Sequence, residues 1–169
     1  MYEDEEIEKA RYGFARDHAR KAFLECSQCF SEGHPSSLGQ ALPVVLPGYK
    51  LYPLNELPNG LSAITMKNEK LIGYNQNHPP VRIRFSVAHE IGHIRLAHPD
   101  GVFDNDAAKI KNYETEADVF AGEFLVPLDT LKTAFKKCRD YNQLAKHFNV
   151  SSTVMYIRFK DSRLLDSIF

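Results

Sequence analysis

The positions Ile7, Ala10, Phe14, His18, Ala22 and Cys26 recur at three- and four-residue steps. That spacing lines them up on one helical face and predicts a helix within residues 5–30, interrupted by no proline and only by Gly13. Residues 31–39, with Gly33, Pro35, Ser36 and Ser37, read as a loop. Between Ala41 and Pro58 four prolines break the chain and leave room for at most a short edge strand around 49–54. The period then changes to two. Residues 61–66 and 71–75 read as short strands, and the polar Lys67-Asn68-Glu69 between them makes a hairpin. His78-Pro79-Pro80 ends the hairpin, and Ser86 is placed to cap a helix that runs to about Ala97 and is closed by Pro99. Residues 100–111 are polar and expected mostly as loop. Helical patterns follow at about 112–125, ended by Pro127, and at 128–138. Asp140 caps a short helix through Phe148, Asn149 has the chemistry of a helix C-cap, and Ser151 starts a last helix to about Lys160. The order of elements predicts one α+β domain over 1–169, helices around a small antiparallel sheet.

Composition narrows the class. A chain of 169 residues with 43% hydrophobic and 25% charged content suits one soluble globular domain. A net charge of −1 gives no global pull toward nucleic acid or an anionic membrane. No apolar run approaches the roughly 20 residues needed to span a bilayer. Residues 2–6 are acidic where a secretory signal is basic and then apolar, so a cytoplasmic location is expected. Three cysteines argue against a disulfide framework. Cys26 and Cys29 form a CxxC without a second one, and a structural zinc site there would need His18 and His34 to complete it. The plain expectation is two thiols on or beside a helix, one half buried.

The chemistry concentrates at His89-Glu90-Ile91-Gly92-His93. Histidines four apart on a helix present both imidazoles to one metal ion, and Glu90 sits beside them, able to touch a metal-bound water without ligating the metal. A catalytic zinc takes three protein ligands. The extended helix motif with a third histidine fails, because Leu96 stands at its glycine position and Pro99 at its histidine position. His98 is one residue early and about 140° around the helix from His93, at about 100° per residue; it reads as a helix-end residue with a lesser claim on the metal's surroundings. A carboxylate from the next helix is the other route. Glu114 and Asp118 share one face, the first placed to ligate and the second to accept the free ring N–H of a ligating histidine. Glu116 lies about 200° from Glu114 and cannot point at the same ion. A solvated acidic face near a helix N-terminus is the plain alternative.

Three blocks carry a resemblance: Arg84-Phe85-Ser86-Val87-Ala88-His89-Glu90-Ile91-Gly92-His93, then Glu114-Thr115-Glu116-Ala117-Asp118-Val119-Phe120-Ala121, then Phe124-Leu125-Val126-Pro127. Their order and spacing resemble the ImmA/IrrE metallopeptidases, over roughly residues 40–160. The resemblance implies a zincin-like fold, zinc held by His89, His93 and Glu114, and Glu90 as catalytic glutamate. Manganese or iron would suit the same ligands. It also implies a protein substrate of the helix-turn-helix repressor class, whose cleavage relieves repression of stress-response or mobile-element genes. Residues 1–35 form an N-terminal extension that inherits nothing from it. His78, Arg82, Arg84, Tyr113, Tyr141 and Tyr156 are open candidates for stabilising the oxyanion. The rival reading takes residues 140–160 as a DNA-binding helix-turn-helix, with Lys146, His147, Arg158 and Lys160 as its basic residues. Val154, Met155, Tyr156, Ile157 and Phe159 suit burial better than a DNA groove, so no direct nucleic-acid contact is expected. A third reading keeps the fold without turnover, as a zinc-holding adaptor that sequesters its partner.

Overall fold

Local signals set most boundaries in the computed structural model, which describes residues 9–100 and 107–167. The helices are α1 (Tyr12–Cys26), α2 (Leu38–Val45), α3 (Pro80–Arg95), α4 (Ala107–Leu125), α5 (Leu128–Lys137), α6 (Tyr141–Phe148) and α7 (Ser152–Asp161). The strands are β1 (Lys50–Leu54), β2 (Ala63–Met66) and β3 (Leu71–Asn75). The caps read from sequence are in place: the Asp140 side chain accepts from the N–H groups of Asn142 and Gln143, Asn149 adopts φ 54°, and the Ser151 hydroxyl accepts from Val154 N–H. The acidic residues 2–6 and residues 101–106 of the expected loop lie outside the described residues.

Besides the start of α4, where residues 107–111 are helical rather than loop, three expectations are corrected. Ser86 does not start the histidine-bearing helix; it lies inside α3, which begins at Pro80. A proline fits the first helical position because its missing N–H would have no intrahelical partner there, and the Pro79 carbonyl takes the N–H groups of Arg82 and Ile83 at 3.0 Å each. Prolines also hid α2. Leu38, Ala41, Leu42 and Val45 are buried at helical spacing, the Ser37 hydroxyl caps the first turn, and Pro43 is tolerated inside. The sheet, finally, is mixed rather than antiparallel. β2 and β3 form the expected antiparallel hairpin, pairing Ala63 with Tyr74 through Met66 with Leu71. The hairpin returns β3 to the centre of the order β1-β3-β2, where it runs parallel to β1.

One hydrophobic core joins the helices to the inner face of the sheet, with Phe120, Phe124, Phe148, Phe159 and Ile72 fully buried. A buried carboxylate ties its far side together. Glu123 accepts from Arg158 Nη2 at 2.8 Å, from Arg20 Nε at 3.2 Å and from the Leu128 N–H at 3.2 Å, so α1, α4, α5 and α7 meet on one side chain. Arg158, counted as a basic residue on the DNA-binding reading, is therefore interior, and α7 shows Tyr156 and Ile157 outward instead.

The crossing of α3 on α4 positions everything that follows. Ala88, Ile91 and Gly92 of α3 are buried, as are Ala117, Phe120 and Ala121 of α4. A Cβ at Gly92 would stand 3.1–3.2 Å from the Phe120 side chain, so glycine is what lets the helices come this close. Gly92→Ala is expected to cost about 1–3 kcal/mol through overpacking, read as a lower midpoint in urea unfolding. Unchanged stability would contradict the close approach.

Candidate metal centre

The two helices each contribute a pair of side chains one turn apart, and the pairs face each other. Glu114 places Oε2 3.1 Å from His89 Nε2 and Oε1 3.1 Å from His93 Nε2, and the two Nε2 atoms are 2.9 Å apart. Ligand atoms of these three residues all lie within 4.8 Å of one another. Behind His89, Nδ1 donates to Asp118 Oδ1 at 2.8 Å, which aims Nε2 at the common centre. The sequence pattern put Glu114 and Asp118 on one face, and the structure brings that face to the histidines.

Electrostatics favour positive charge at this centre. Burial opposes a proton on His89, but hydrogen bonds to Asp118 and Glu114 outweigh it and raise its pKa to about 9. The same contacts, from His89 first and then His93, hold Glu114 well below the usual carboxylate range. Two carboxylates around two imidazoles draw in a cation, whether a proton or a metal. Two imidazole nitrogens and one carboxylate oxygen are a donor set that zinc accepts, so the residues fit the metal that the sequence implies. Manganese and iron accept the same set.

His98 and Glu116 are both interior, at 3% and 2% exposure, on the other side of His93. His98 Nδ1 is 2.9 Å from His93 Nδ1, and His98 Nε2 is 2.9 Å from Glu116 Oε2. Glu116 is turned away from the ligand atoms, as its position around the helix requires. It accepts instead from Arg11, by the backbone N–H at 2.8 Å and by Nε and Nη2 at 2.9 Å each. Burial resists ionisation of Glu116, yet Arg11 holds its carboxyl well below the usual range; burial also keeps His98 below the ordinary histidine value.

Glu90 faces a cleft of about 570 Å³ that His93, Glu114, Tyr113 and the β2 residues Ile64, Thr65 and Met66 also line. The Thr65 hydroxyl donates to Glu90 Oε2 at 2.5 Å, a contact that the alternating β2 pattern gave no reason to single out. Of the oxyanion candidates, Tyr113 alone is among the described residues lining this cleft. His78 is engaged with Ser62 Oγ and Asn75, and Arg82 with the Gly60 carbonyl. Arg84 is buried and donates to the Pro35 and Ser36 carbonyls, while Tyr141 and Tyr156 pack together on α6 and α7. Among the described residues the CxxC joins no ligand group. Cys26 is wholly buried, with its pKa raised to about 11 chiefly by burial, and Cys29 is exposed. Among the described residues, the one group of three or more side chains poised to share an ion is His89, His93 and Glu114.

Comparison with known proteins bears on the family and the fold. Residues 54–160 match the family model described as the IrrE N-terminal-like domain, peptidase M78. Among solved structures, the fold is similar to that of a Mycobacterium tuberculosis transcriptional regulator, at a TM-score of 0.62 and 17% identity, over 88% of this chain and 50% of that one. This chain thus spans half the length of that regulator and shares its fold. No curated protein matches. The family match runs from the end of β1 to the end of α7, more than half of the sequence, and the chain belongs to the IrrE N-terminal-like, peptidase M78, family.

Proposed function

We propose that this protein is a zinc-dependent endopeptidase that cleaves a partner protein, a helix-turn-helix transcriptional repressor, and so relieves repression. The observation that carries the reading is the convergence of His89 Nε2, His93 Nε2 and the Glu114 carboxylate beside Glu90 in an open cleft. On this reading residues 1–169 act as one metallopeptidase domain, with His89, His93 and Glu114 as metal ligands and Asp118 orienting His89. The peptidase family supports the reaction class. The fold shared with a transcriptional regulator suits a regulatory setting, and a repressor substrate would put the work in the cytoplasm. No helix among the described residues is long and apolar enough to cross a membrane.

The chemistry follows from where the side chains stand. A divalent cation held by the three ligands supplies a Lewis acid that acidifies water and polarises the scissile carbonyl. Glu90, fixed by Thr65, takes a proton from the attacking water as its oxygen bonds to the carbonyl carbon. It then delivers that proton to the leaving nitrogen as the C–N bond breaks. Of the described hydroxyl side chains in the cleft, Thr65 is given to Glu90, which leaves the Tyr113 O–H to offer the oxyanion. The substrate strand has a ready template. β2 pairs with β3 on one side and, among the described residues, with no strand on the other. An extended segment laid along that edge would add main-chain hydrogen bonds to the strand whose Thr65 holds Glu90.

Two variants test the reading with zinc, purified protein and the helix-turn-helix repressor encoded nearest to its gene. Glu90→Gln is expected to slow cleavage by about 10²–10⁴-fold while zinc content and repressor binding persist. Cleavage at the wild-type rate would remove Glu90 as the base, and repressor binding without cleavage by the wild-type protein would favour an adaptor. Glu114→Ala is expected to lose stoichiometric zinc on dialysis and all cleavage with it. Zinc retained by this variant would move the third ligand elsewhere.

A further inference from the structure

Of the two histidines at the centre, only His89 is backed by a carboxylate among the described residues. Asp118 orients His89 directly, but among the described residues the contact behind His93 is His98 rather than a carboxylate. Helix geometry supplies the substitute. α3 ends in a motif in which Ala97 takes φ 54°, the Ala97 N–H bonds to the Ile94 carbonyl and the His98 N–H returns to the His93 carbonyl at 3.0 Å. This closure sets the residue after the left-handed position against the residue five before it. That pair meets in other helices through an apolar contact, and here it is His98 on His93. Behind His98 stands Glu116, and behind Glu116 stands Arg11, which precedes α1 and lies outside the region matched by the family model.

Hydrogen-bond polarity fixes the direction along this chain. A guanidinium only donates, and Arg11 gives three hydrogen bonds to the two oxygens of Glu116. The carboxylate only accepts, so His98 Nε2 carries the hydrogen that faces it. In a neutral imidazole Nδ1 is then an acceptor, and the 2.9 Å contact requires His93 to donate from Nδ1. His93 Nε2 is left with its lone pair toward Glu114 and His89. We infer that Arg11, Glu116 and His98 form a relay of positioning residues that sets the tautomer and ring angle of His93, as Asp118 does for His89. Arg11, just ahead of α1, is thereby tied to the metal centre. This inference rests on His93 being a metal ligand.

The full-length protein tests it with Zn²⁺ and a competing chromophoric chelator. His98→Phe keeps a buried ring without hydrogen bonds and is expected to weaken Zn²⁺ binding by about 10–100-fold. His98→Gln keeps one acceptor for His93 and one donor for Glu116, and is expected to restore affinity to near the wild-type value. Arg11→Met, at a half-exposed position, should weaken binding in the same direction by a smaller factor. Wild-type affinity in His98→Phe, or a His98→Gln variant as weak as His98→Phe, would overturn the relay. A second readout does not depend on how the variants fold. In ¹⁵N-histidine-labelled, zinc-loaded wild-type protein, His93 should bind through Nε2 and show a slowly exchanging Nδ1–H; coordination through Nδ1 would overturn the inference. A wild-type protein that binds no Zn²⁺ would instead refute the metal reading itself.

Discussion

The contact of Gly92 with Phe120 is the constraint on which the rest depends. Side chains four apart on a helix form a row along its surface, and α3 and α4 each carry one such row: His89 with His93, Glu114 with Asp118. Two rows of this kind become one cluster only when the helices are close enough for a carboxylate to span both imidazoles. Gly92 lies in the turn between the two histidines, and a Cβ there would press on the Phe120 side chain at 3.1–3.2 Å. Buried alanines on both helices extend the close approach. Packing density in the core is thus converted into ligand distance at the surface.

The same helix sorts three acidic residues into three jobs. Glu114, Glu116 and Asp118 alternate along α4, and the helical period turns the middle one away from its neighbours. The outer two face the histidines and concentrate negative potential where a cation would sit. Glu116 points into the interior, a placement that would be costly for an unpaired carboxylate; Arg11 and His98 satisfy it. A single stretch of sequence therefore supplies candidates for a ligand, a direct orienter and the anchor of an indirect one.

What the sequence made legible was local. The caps at Asp140, Asn149 and Ser151 depend on one or two neighbouring residues, and all three stand where those residues predict. The face shared by Glu114 and Asp118 follows from helical period alone. Where local rules compete, the structure departs from them. Pro43 and Pro80 read as breaks, yet the first sits in a helix held by four buried apolar residues and the second starts one. The parallel pairing of β1 with β3 depends on how the hairpin docks, which no short window contains. Arg11 and Glu116 are separated by 105 residues, and Thr65 and Glu90 by 25, so neither partnership leaves a periodic trace. His98 is a helix-end residue as expected, but a continuing helix would put it about 140° from His93, whereas the left-handed Ala97 folds it back.

The central claim is that His89, His93 and Glu114 together hold the metal. Zinc K-edge X-ray absorption on the purified, zinc-loaded protein tests it most directly. The account predicts a shell of nitrogen and oxygen scatterers at about 2.0–2.2 Å, with the outer-shell pattern of two imidazoles. A sulfur shell near 2.3 Å would place the metal on the cysteines and contradict the account.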